Sequence, residues 1–299
     1  MKWRTAHLLA MLVASIATTE LSFARESLDS GKSLLTEVKF RLSNDYLIVA
    51  PVKVNGHGPY DMVIDTGSGF SFIDTETASE IGLKEIDSVD VYALFGVDRV
   101  KTSVADITFA GREFERTSIA IQDLAAFRRI DRNIRGILGW NVLWKFNFLI
   151  DYREHRLEIH DGSPLPEIKE KATPYVRKAG VVLVPAAIPD LLGRKMQLIL
   201  DSGARSVLLY SNLLPPTVDL GEYEFRGSTV TTAKVHTVHV PMMGIGTNVL
   251  SQVTVGLLLG GKDQYSHSAD GVLPLSLFRS VYFNNSEGYI VLNPHLRKK

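Results

Sequence analysis

The stretch MVIDTGS at residues 62–68 recurs later in the chain as LILDSGA at residues 198–204. Each copy is an apolar run that ends in Asp, then Thr or Ser, then Gly and a small residue. Each copy also follows another apolar run, at residues 47–52 and 182–187. Short apolar runs bounded by turn-forming residues are typical of β-strands. The repeat therefore predicts two related β units within one chain.

The spacing downstream of each motif supports this repeat. GILG at residues 136–139 follows the first motif and GVLP at residues 271–274 follows the second; Asp65 lies 71 residues before the first of these and Asp201 lies 70 residues before the second. A single Asp-Thr-Gly is a weak signal, because Asp and Gly are common turn residues. Two copies with matched downstream spacing are hard to assign to chance.

The remaining sequence predicts an all-β fold with small helices. Long helical periodicity is nearly absent, whereas runs rich in β-branched and aromatic residues recur between turn signals. The run at 148–159 contains a polar break at 151–155, which indicates a hairpin turn. We expect strands at residues 46–54, 62–64, 104–109 and 148–159, and helices of about two turns at residues 75–81 and 140–146.

The repeat divides the chain into two lobes. We expect an N-terminal β lobe at residues 25–161 with the first Asp motif, and a C-terminal β lobe at residues 174–299 with the second. Residues 162–173 contain two prolines and several charges, a composition that suits a connector.

Residues 1–24 have the composition of a secretory signal peptide. A basic start with Lys2 and Arg4 precedes an apolar stretch at 6–19, and Ser22 and Ala24 place small residues where a signal peptidase reads. This predicts cleavage after Ala24 and an exported protein, periplasmic or secreted. The stretch is short for a membrane span, which needs about 20 residues. The alternatives are a buried N-terminal helix or an uncleaved anchor.

Composition excludes several classes of function. The chain has 33 basic and 33 acidic residues, so no basic excess indicates a nucleic-acid partner. It has no cysteine, which excludes disulfide scaffolds, thiolate zinc sites, iron–sulfur clusters and cysteine nucleophiles. We expect no metal and no cofactor. The basic string of Arg128, Arg129, Arg132 and Arg135 predicts a solvated loop, with an acidic substrate or a lipid surface as the alternative.

The two motifs resemble those of the aspartic peptidases. Residues 65–69 look like the first active-site motif of that family and residues 201–204 like the second. Residues 137–139 are similar to the hydrophobic-hydrophobic-glycine element that packs behind the catalytic loop. The resemblance covers nearly all of residues 40–295. Within the family, the sequence is more similar to bacterial retropepsin-like proteins than to pepsin. It implies a two-lobed, pepsin- or retropepsin-like acid protease fold with a pseudo-twofold internal repeat.

The resemblance also implies a mechanism and a partner. Asp65 and Asp201 would be the catalytic pair, which shares one proton and activates a water molecule between the two carboxylates. No covalent intermediate, metal or cofactor is needed, and the substrate would be a peptide or protein. Because one chain supplies both halves, we expect a monomer. The alternatives are a homodimer, or a non-catalytic protein of the same fold that binds a peptide or an envelope component.

Neighbouring residues would have supporting roles. Gly67 and Gly203 would allow close approach of the backbone to the carboxylates. The resemblance implies that Thr66 and Ser202 brace the two loops against each other. It also implies that a hydroxyl at Ser68 helps to hold a carboxylate ionised. Ala204 lacks that hydroxyl, so Asp65 would be the more acidic member of the pair.

Two further features carry expectations about the site. A hairpin at residues 92–97 is the candidate cover of the cleft, with Gly96 at its tip and Tyr92 or Phe95 over the substrate; the alternative is an ordinary hairpin with core aromatics. Pro274 stands where the family pattern has Gly, and Pro lacks a backbone N–H. The packing behind Asp201 would therefore differ from that behind Asp65, and this departure favours the non-catalytic alternative.

Overall fold

Short runs of β-branched and aromatic residues fold into strands over most of the chain. The computed structural model describes residues 35–93, 96–160, 166–178, 180–189, 195–210, 222–226, 232–258 and 269–294. Residues 1–24, for which we predict a signal peptide, and Phe95 lie outside these ranges. No helix within the described ranges is long and apolar enough to cross a membrane.

The first half contains eleven strands and three short helices among the described residues. They are β1 Leu35–Lys39, β2 Arg41–Ser43, β3 Leu47–Val54, β4 His57–Ile64, β5 Ser71–Asp74, α1 Thr75–Glu80, β6 Asp87–Ala93, β7 Gly96–Phe109, β8 Arg112–Gln122, α2 Ala125–Ile130, β9 Ile134–Leu138, α3 Trp140–Leu143, β10 Asn147–Asp151 and β11 Arg156–His160.

The second half contains another eleven strands and two 3₁₀ helices in the part that the structure describes. They are a 3₁₀ helix Pro166–Lys171, β12 Thr173–Pro174, β13 Val176–Lys178, β14 Val181–Ala187, β15 Lys195–Asp201, β16 Val207–Tyr210, β17 Glu222–Arg226, β18 Thr232–Ile245, β19 Asn248–Leu258, β20 Gly271–Pro274, a second 3₁₀ helix Leu275–Leu277, β21 Ser280–Asn284 and β22 Tyr289–Leu292.

Each half builds one eight-stranded sheet, and the two sheets have the same topology. The first has the order β2-β3-β4-β9-β5-β8-β7-β6 and the second has the order β13-β14-β15-β20-β16-β19-β18-β17. Parallel pairs occur at equivalent places, β4 with β9 and β5 with β8 in the first sheet, and β15 with β20 and β16 with β19 in the second. The internal repeat and the two-lobed all-β fold with small helices are therefore confirmed.

A third sheet joins the halves. It has six strands in the order β1-β11-β10-β21-β22-β12, so each half contributes three of them. β10 pairs with β21 across the junction, where Phe148 and Phe283 are direct partners and their rings stack with centroids 4.6 Å apart. Trp140 packs edge-on against Phe283 and is fully buried. This aromatic cluster ties both halves into one compact unit.

Most predicted elements have the expected type. The predicted strand at 46–54 is β3 without its first residue, those at 62–64 and 104–109 lie within β4 and β7, and the polar break at 151–155 contains the turn between β10 and β11. The helices at 75–81 and 140–146 are α1 and α3, each slightly shorter than predicted. The predicted connector at residues 162–173 contains a 3₁₀ helix and ends in the first residue of β12, because Thr173 pairs with Ile290 in the central sheet.

Candidate active site

The two Asp motifs lie at equivalent positions of the two eight-stranded sheets. Asp65 directly follows β4, and its backbone N–H donates to the Leu138 carbonyl of the parallel strand β9 at 3.0 Å. Asp201 ends β15 beside Pro274 of the parallel strand β20. In each half, the Asp lies at the end of a buried apolar strand that is paired on both sides. This pairing fixes the position of the carboxylate along the strand. The internal repeat therefore brings both motifs to the junction of the halves.

Reciprocal hydrogen bonds connect the two motifs. The Thr66 N–H donates to Ser202 Oγ and the Ser202 N–H donates to Thr66 Oγ1, both at 2.9 Å. Thr66 Oγ1 in turn donates to the Leu200 carbonyl at 2.8 Å, and Ser202 Oγ donates to the Ile64 carbonyl at 2.7 Å. Thr66 and Ser202 are both buried. Each loop is thus held by the opposite half, as the resemblance implied.

The two carboxyl groups meet at this junction. Asp65 and Asp201 lie close together, since the side chain of each acts on the pKa of the other. The Gly67 N–H donates to Asp65 Oδ1 at 2.8 Å, and the Gly203 N–H donates to Asp201 Oδ1 at 2.6 Å. Each carboxylate is therefore oriented by the glycine of its own motif.

The glycines also touch the opposite carboxylate. A Cβ atom on Gly67 would lie 2.3 Å from Asp201 Cγ, and one on Gly203 would lie 3.0 Å from Asp65 Cγ. Atoms of this kind do not approach so closely without displacement. Glycine at both positions is what permits the two carboxyl groups to come together.

Desolvation at the junction changes the acidity of both groups. Burial raises the pKa of Asp65 above its ordinary value, and the hydrogen bond from Gly67 acts against this rise. Burial also raises the pKa of Asp201, well above its ordinary value, and the neighbouring charge of Asp65 raises it further. Two carboxylates this close cannot easily both ionise, so the pair holds one proton. The two groups therefore titrate as a pair.

The role expected for the Ser68 hydroxyl is wrong. Its Oγ donates to the Phe70 carbonyl at 2.7 Å, and a hydroxyl has only one proton to donate. Instead, the backbone groups of Ser68 and Ala204 act to lower the pKa of the carboxyl group in their own half. Because the backbone has this effect in both halves, the lack of a hydroxyl at Ala204 does not distinguish the two carboxylates.

Trp140 supports the first loop from below, and the motifs did not single it out. Its indole Nε1 donates to the Thr66 carbonyl at 2.5 Å, and its backbone N–H donates to the Ser68 carbonyl at 2.8 Å. The same indole packs on Phe283 of the central sheet. The sequence feature that could have indicated this role is the position of Trp140 directly after Gly139. Trp140 thus connects the aromatic cluster of the central sheet to the Asp65 loop.

The element behind the first loop is held by a polar network. The Gly139 N–H donates to Ser71 Oγ at 3.0 Å, and Ser71 Oγ donates to Asn141 Oδ1 at 2.7 Å. Asn141 Nδ2 donates to the Ser118 carbonyl at 2.7 Å. A Cβ atom on Gly139 would lie 2.2 Å from the Phe70 carbonyl oxygen, so no other residue fits there.

The second half replaces this network with apolar contact. By strand register, Pro274 corresponds to Gly139 and Val207 corresponds to Ser71. The donor N–H and the acceptor hydroxyl are therefore lost together, and both residues are buried. Replacing both partners of a buried hydrogen bond by apolar groups is close to neutral, whereas losing one partner is costly. The packing behind Asp201 does differ from that behind Asp65, as expected, but it leaves no group unpaired at these two positions.

The candidate cover is a hairpin, as predicted, but Gly96 is a paired residue at the start of β7 and does not form the tip. β6 and β7 pair from Asp87 to Thr102, with Tyr92 opposite Val97 and Ala93 opposite Gly96. Phe95 falls outside the described residues. The corresponding hairpin of the second half is formed by β17 and β18. Whether Tyr92, Phe95 and Gly96 cover a substrate stays a prediction.

The expectation of a solvated loop is wrong for Arg128, although Arg132 does lie exposed in the turn between α2 and β9. Residues 125–130 form α2, and Arg128 makes an ion pair with Asp74, whose side chain is 1% exposed. Arg128 also pairs with Asp123 at 2.8 Å. Asp74 accepts a further hydrogen bond from the Leu124 N–H at 2.9 Å. A charge buried with this many partners holds α2 against β5 and has a structural role.

Over the described ranges, no group of three or more His, Asp or Glu side chains is arranged to hold a metal ion. The chemistry available at the junction is that of the two carboxyl groups and their backbone donors.

Comparison with known proteins supports the resemblance stated above. A family model of aspartyl proteases matches residues 50–142, which contain the first Asp motif and the Ile137–Gly139 element. No curated protein matches the chain. Among solved structures, the crystal structure of Basic 7S globulin from soybean is similar to the chain, with a TM-score of 0.49 and 11% identity over 87% of this chain and 94% of that one.

Proposed function

We propose that this protein is an aspartic endopeptidase that hydrolyses peptide bonds with Asp65 and Asp201. The observation that carries this proposal is the close approach of the two Asp motifs, in which each carboxyl group is held by the N–H of its own glycine and lies beside the glycine of the other motif. The match of residues 50–142 to the aspartyl proteases supports the same reaction class.

The arrangement suits a direct attack by water. The Asp65 carboxylate is the general base that takes a proton from a water molecule bound between the two groups. Protonated Asp201 is the general acid that donates its proton to the oxygen of the scissile carbonyl. Attack gives a tetrahedral gem-diol, with Asp65 now protonated and Asp201 ionised. Its collapse breaks the C–N bond as Asp65 donates its proton to the leaving amine and a gem-diol hydroxyl returns a proton to Asp201, so the pair is restored.

The rigidity of the site supports this role. Pairs of carboxylates work only when their separation is fixed, because a small misplacement weakens both proton transfers. The bonds between Thr66 and Ser202 fix it across the halves, and Trp140 fixes the first loop from the central sheet.

The alternative is a protein of this fold that binds a peptide or an envelope component without cleaving it. Pro274 was the feature that favoured it. Because Val207 removes the partner that the missing N–H would have had, Pro274 no longer argues for an impaired second half.

The test is cleavage of a mixed peptide library by the purified protein from acid to neutral pH, beside Asp65→Asn and Asp201→Asn. We expect cleavage by the native protein and loss in both variants by at least a factor of about 100, the contribution of one acid or base group. Retained turnover in either variant contradicts the proposed pair. Absence of cleavage at any pH, with peptide binding retained, supports the binding alternative.

We also propose that the protein is exported and monomeric. The composition of residues 1–24 supports export, and the presence of both Asp motifs in one chain supports a monomer. N-terminal sequencing of the protein recovered from a bacterial periplasm or culture medium should begin at Arg25, and a sequence beginning at Met1 would contradict cleavage. Gel filtration should give the mass of one chain with activity retained.

A further inference from the structure

The two sides of the candidate site are not equivalent, although the fold is. β3 and β14 pair in the same register with the strands that carry the two Asp residues. Tyr46, directly before β3, therefore corresponds to Gly180, directly before β14. Gly69 and Arg205 also correspond, since each lies four residues beyond its Asp. The pseudo-twofold thus relates one pair of small residues to one pair of large polar residues.

On one side, two glycines meet across the junction. A Cβ atom on Gly180 would lie 3.2 Å from Gly69 Cα, so the two main chains nearly touch there. On the other side, the same geometry sets Tyr46 beside Arg205. The charge of Arg205 acts on the pKa of the Tyr46 phenol, as do the charges of Asp201 and Asp65. Tyr46 and Arg205 therefore lie at the carboxyl pair, on one side of it.

Arg205 has the properties of a ligand-binding residue. It is exposed, and within the described ranges no ion pair engages it. Four other arginines, by contrast, pair with carboxylates: Arg41, Arg99, Arg128 and Arg156. A guanidinium presents planar donors that match a carboxylate in a two-point bond.

Arg205 also borders a cavity of about 560 Å³. The other lining residues are neutral, among them Ser206, Thr237, Gln252 and Leu277. Among the described residues that line this space, Arg205 is the single charged side chain. A cavity with neutral walls and one cation at its edge suits a group that carries one negative charge.

We propose that Arg205 is a specificity-determining residue that binds a carboxylate of the peptide substrate, on the side of the carboxyl pair bounded by Tyr46. This inference rests on the proposed peptidase function and names its substrate class. The carboxylate belongs to an Asp or Glu side chain or to the C-terminus of the substrate. The opposite side, lined by Gly69 and Gly180, has no cation in the equivalent position and selects no charge there.

The experiment compares matched peptides that differ only by Glu or Gln at one position, scanned along both sides of the cleaved bond. The native protein should favour Glu on one side only, by about tenfold in kcat/KM, the size of one charge-assisted hydrogen bond. Arg205→Ala should abolish this ratio, and Arg205→Glu should reverse it, so that the Gln peptide is cleaved faster than the Glu peptide. Peptides with a free or an amidated C-terminus separate the terminal carboxylate from the side-chain carboxylate.

Arg116→Ala is the matched control, because Arg116 is an exposed arginine in β8, remote in sequence from both motifs. It should leave the Glu to Gln ratio unchanged. An unaltered ratio in Arg205→Glu overturns the proposal even if cleavage itself is normal. If no peptide is cleaved, calorimetric binding of the Glu and Gln peptides to native protein and Arg205→Glu tests Arg205 separately. Equal binding of both peptides then overturns the inference about Arg205.

Discussion

Thr66 and Ser202, which lie 136 residues apart in the sequence, hold each other's backbone across the junction of the two halves. Each N–H donates to the hydroxyl of the other at 2.9 Å, and each hydroxyl passes a hydrogen bond back to a strand carbonyl of the opposite half. Both residues are buried, so no solvent replaces a lost partner. The position of the two carboxyl groups therefore depends on four bonds that neither half can make alone.

Removing one hydroxyl from this arrangement should be costly. Ser202→Ala leaves the Thr66 N–H and the Ile64 carbonyl unpaired, and Thr66→Val does the same to the Ser202 N–H and the Leu200 carbonyl. Each unpaired buried group should lower the free energy of unfolding by about 1–3 kcal/mol. Urea denaturation measures this. Thr66→Ser keeps the hydroxyl and should cost about 1 kcal/mol for the lost methyl group; equal losses in Thr66→Ser and Thr66→Val would contradict the importance of the bonds.

The carboxyl pair should make the protein less stable as pH rises. Because burial and the charge of Asp65 raise the pKa of Asp201, the folded protein keeps a proton that the unfolded chain releases above its ordinary value of 3.8. The folded state then binds more protons, so the free energy of unfolding falls as pH rises from that value to the folded pKa. Asp201→Asn removes this penalty and should be more stable than the native protein at neutral pH, with the difference vanishing in acid. Thermal melts across pH measure the effect.

Asp131 provides a control of opposite sign. Burial acts to raise its pKa, but hydrogen bonds from the Asn133 N–H and from Arg41 outweigh this, so its pKa is lowered. A carboxylate with a lowered pKa contributes stability at neutral pH that is lost in acid. Asp131→Asn should therefore be less stable than the native protein at neutral pH. If both variants shift stability in the same direction, the assignment of the raised pKa to Asp201 is wrong.

The two glycines of the motifs should differ in their tolerance of a methyl group. Gly67→Ala places a Cβ atom 2.3 Å from Asp201 Cγ and 2.5 Å from both carboxylate oxygens, whereas Gly203→Ala meets Asp65 at 3.0 Å. A displacement of this size in a catalytic group lowers turnover by about 100-fold. We expect that loss in peptide cleavage for Gly67→Ala and a smaller one for Gly203→Ala. Gly244→Ala is the control, because the nearest atom is 3.8 Å away; a loss there as large as in Gly67→Ala would contradict the steric argument.

The sequence predicts the repeat and the motif loops, because both depend on local patterns. The apolar runs before Asp65 and Asp201 specify buried strands, and the equal downstream spacing specifies where β9 and β20 return beside them. Contacts between distant residues follow no such pattern. Nothing in the basic string around Arg128 indicates the buried Asp74, which lies 54 residues earlier.

Local sequence patterns also do not predict the asymmetry of the site. The pseudo-twofold relates Tyr46 to Gly180 and Arg205 to Gly69. This correspondence follows from the strand register and not from any local sequence pattern. In the sequence, Pro274 is only a departure from the family pattern. Its meaning depends on Val207, which lies on another strand, so the compensation between them becomes apparent only when the strand register is known.

That compensation predicts a coupling between Val207 and Pro274. Pro274→Gly restores an N–H in a buried strand, and with Val207 opposite it has no hydroxyl to accept its hydrogen bond. The free energy of unfolding should fall by about 1–3 kcal/mol for the unpaired group. Val207→Ser alone should be destabilising as well, because it buries a hydroxyl and removes two methyl groups.

The double variant should recover part of both losses. With Ser at 207 and Gly at 274, the second half regains the donor and acceptor that Ser71 and Gly139 have in the first half, where they are 3.0 Å apart. A double-mutant cycle in urea should therefore give a favourable coupling of about 0.5–3 kcal/mol. Strictly additive losses would show that the paired replacement of Ser71 and Gly139 by Val207 and Pro274 is coincidental. In that case the second half tolerates Pro274 for a reason unrelated to hydrogen bonding.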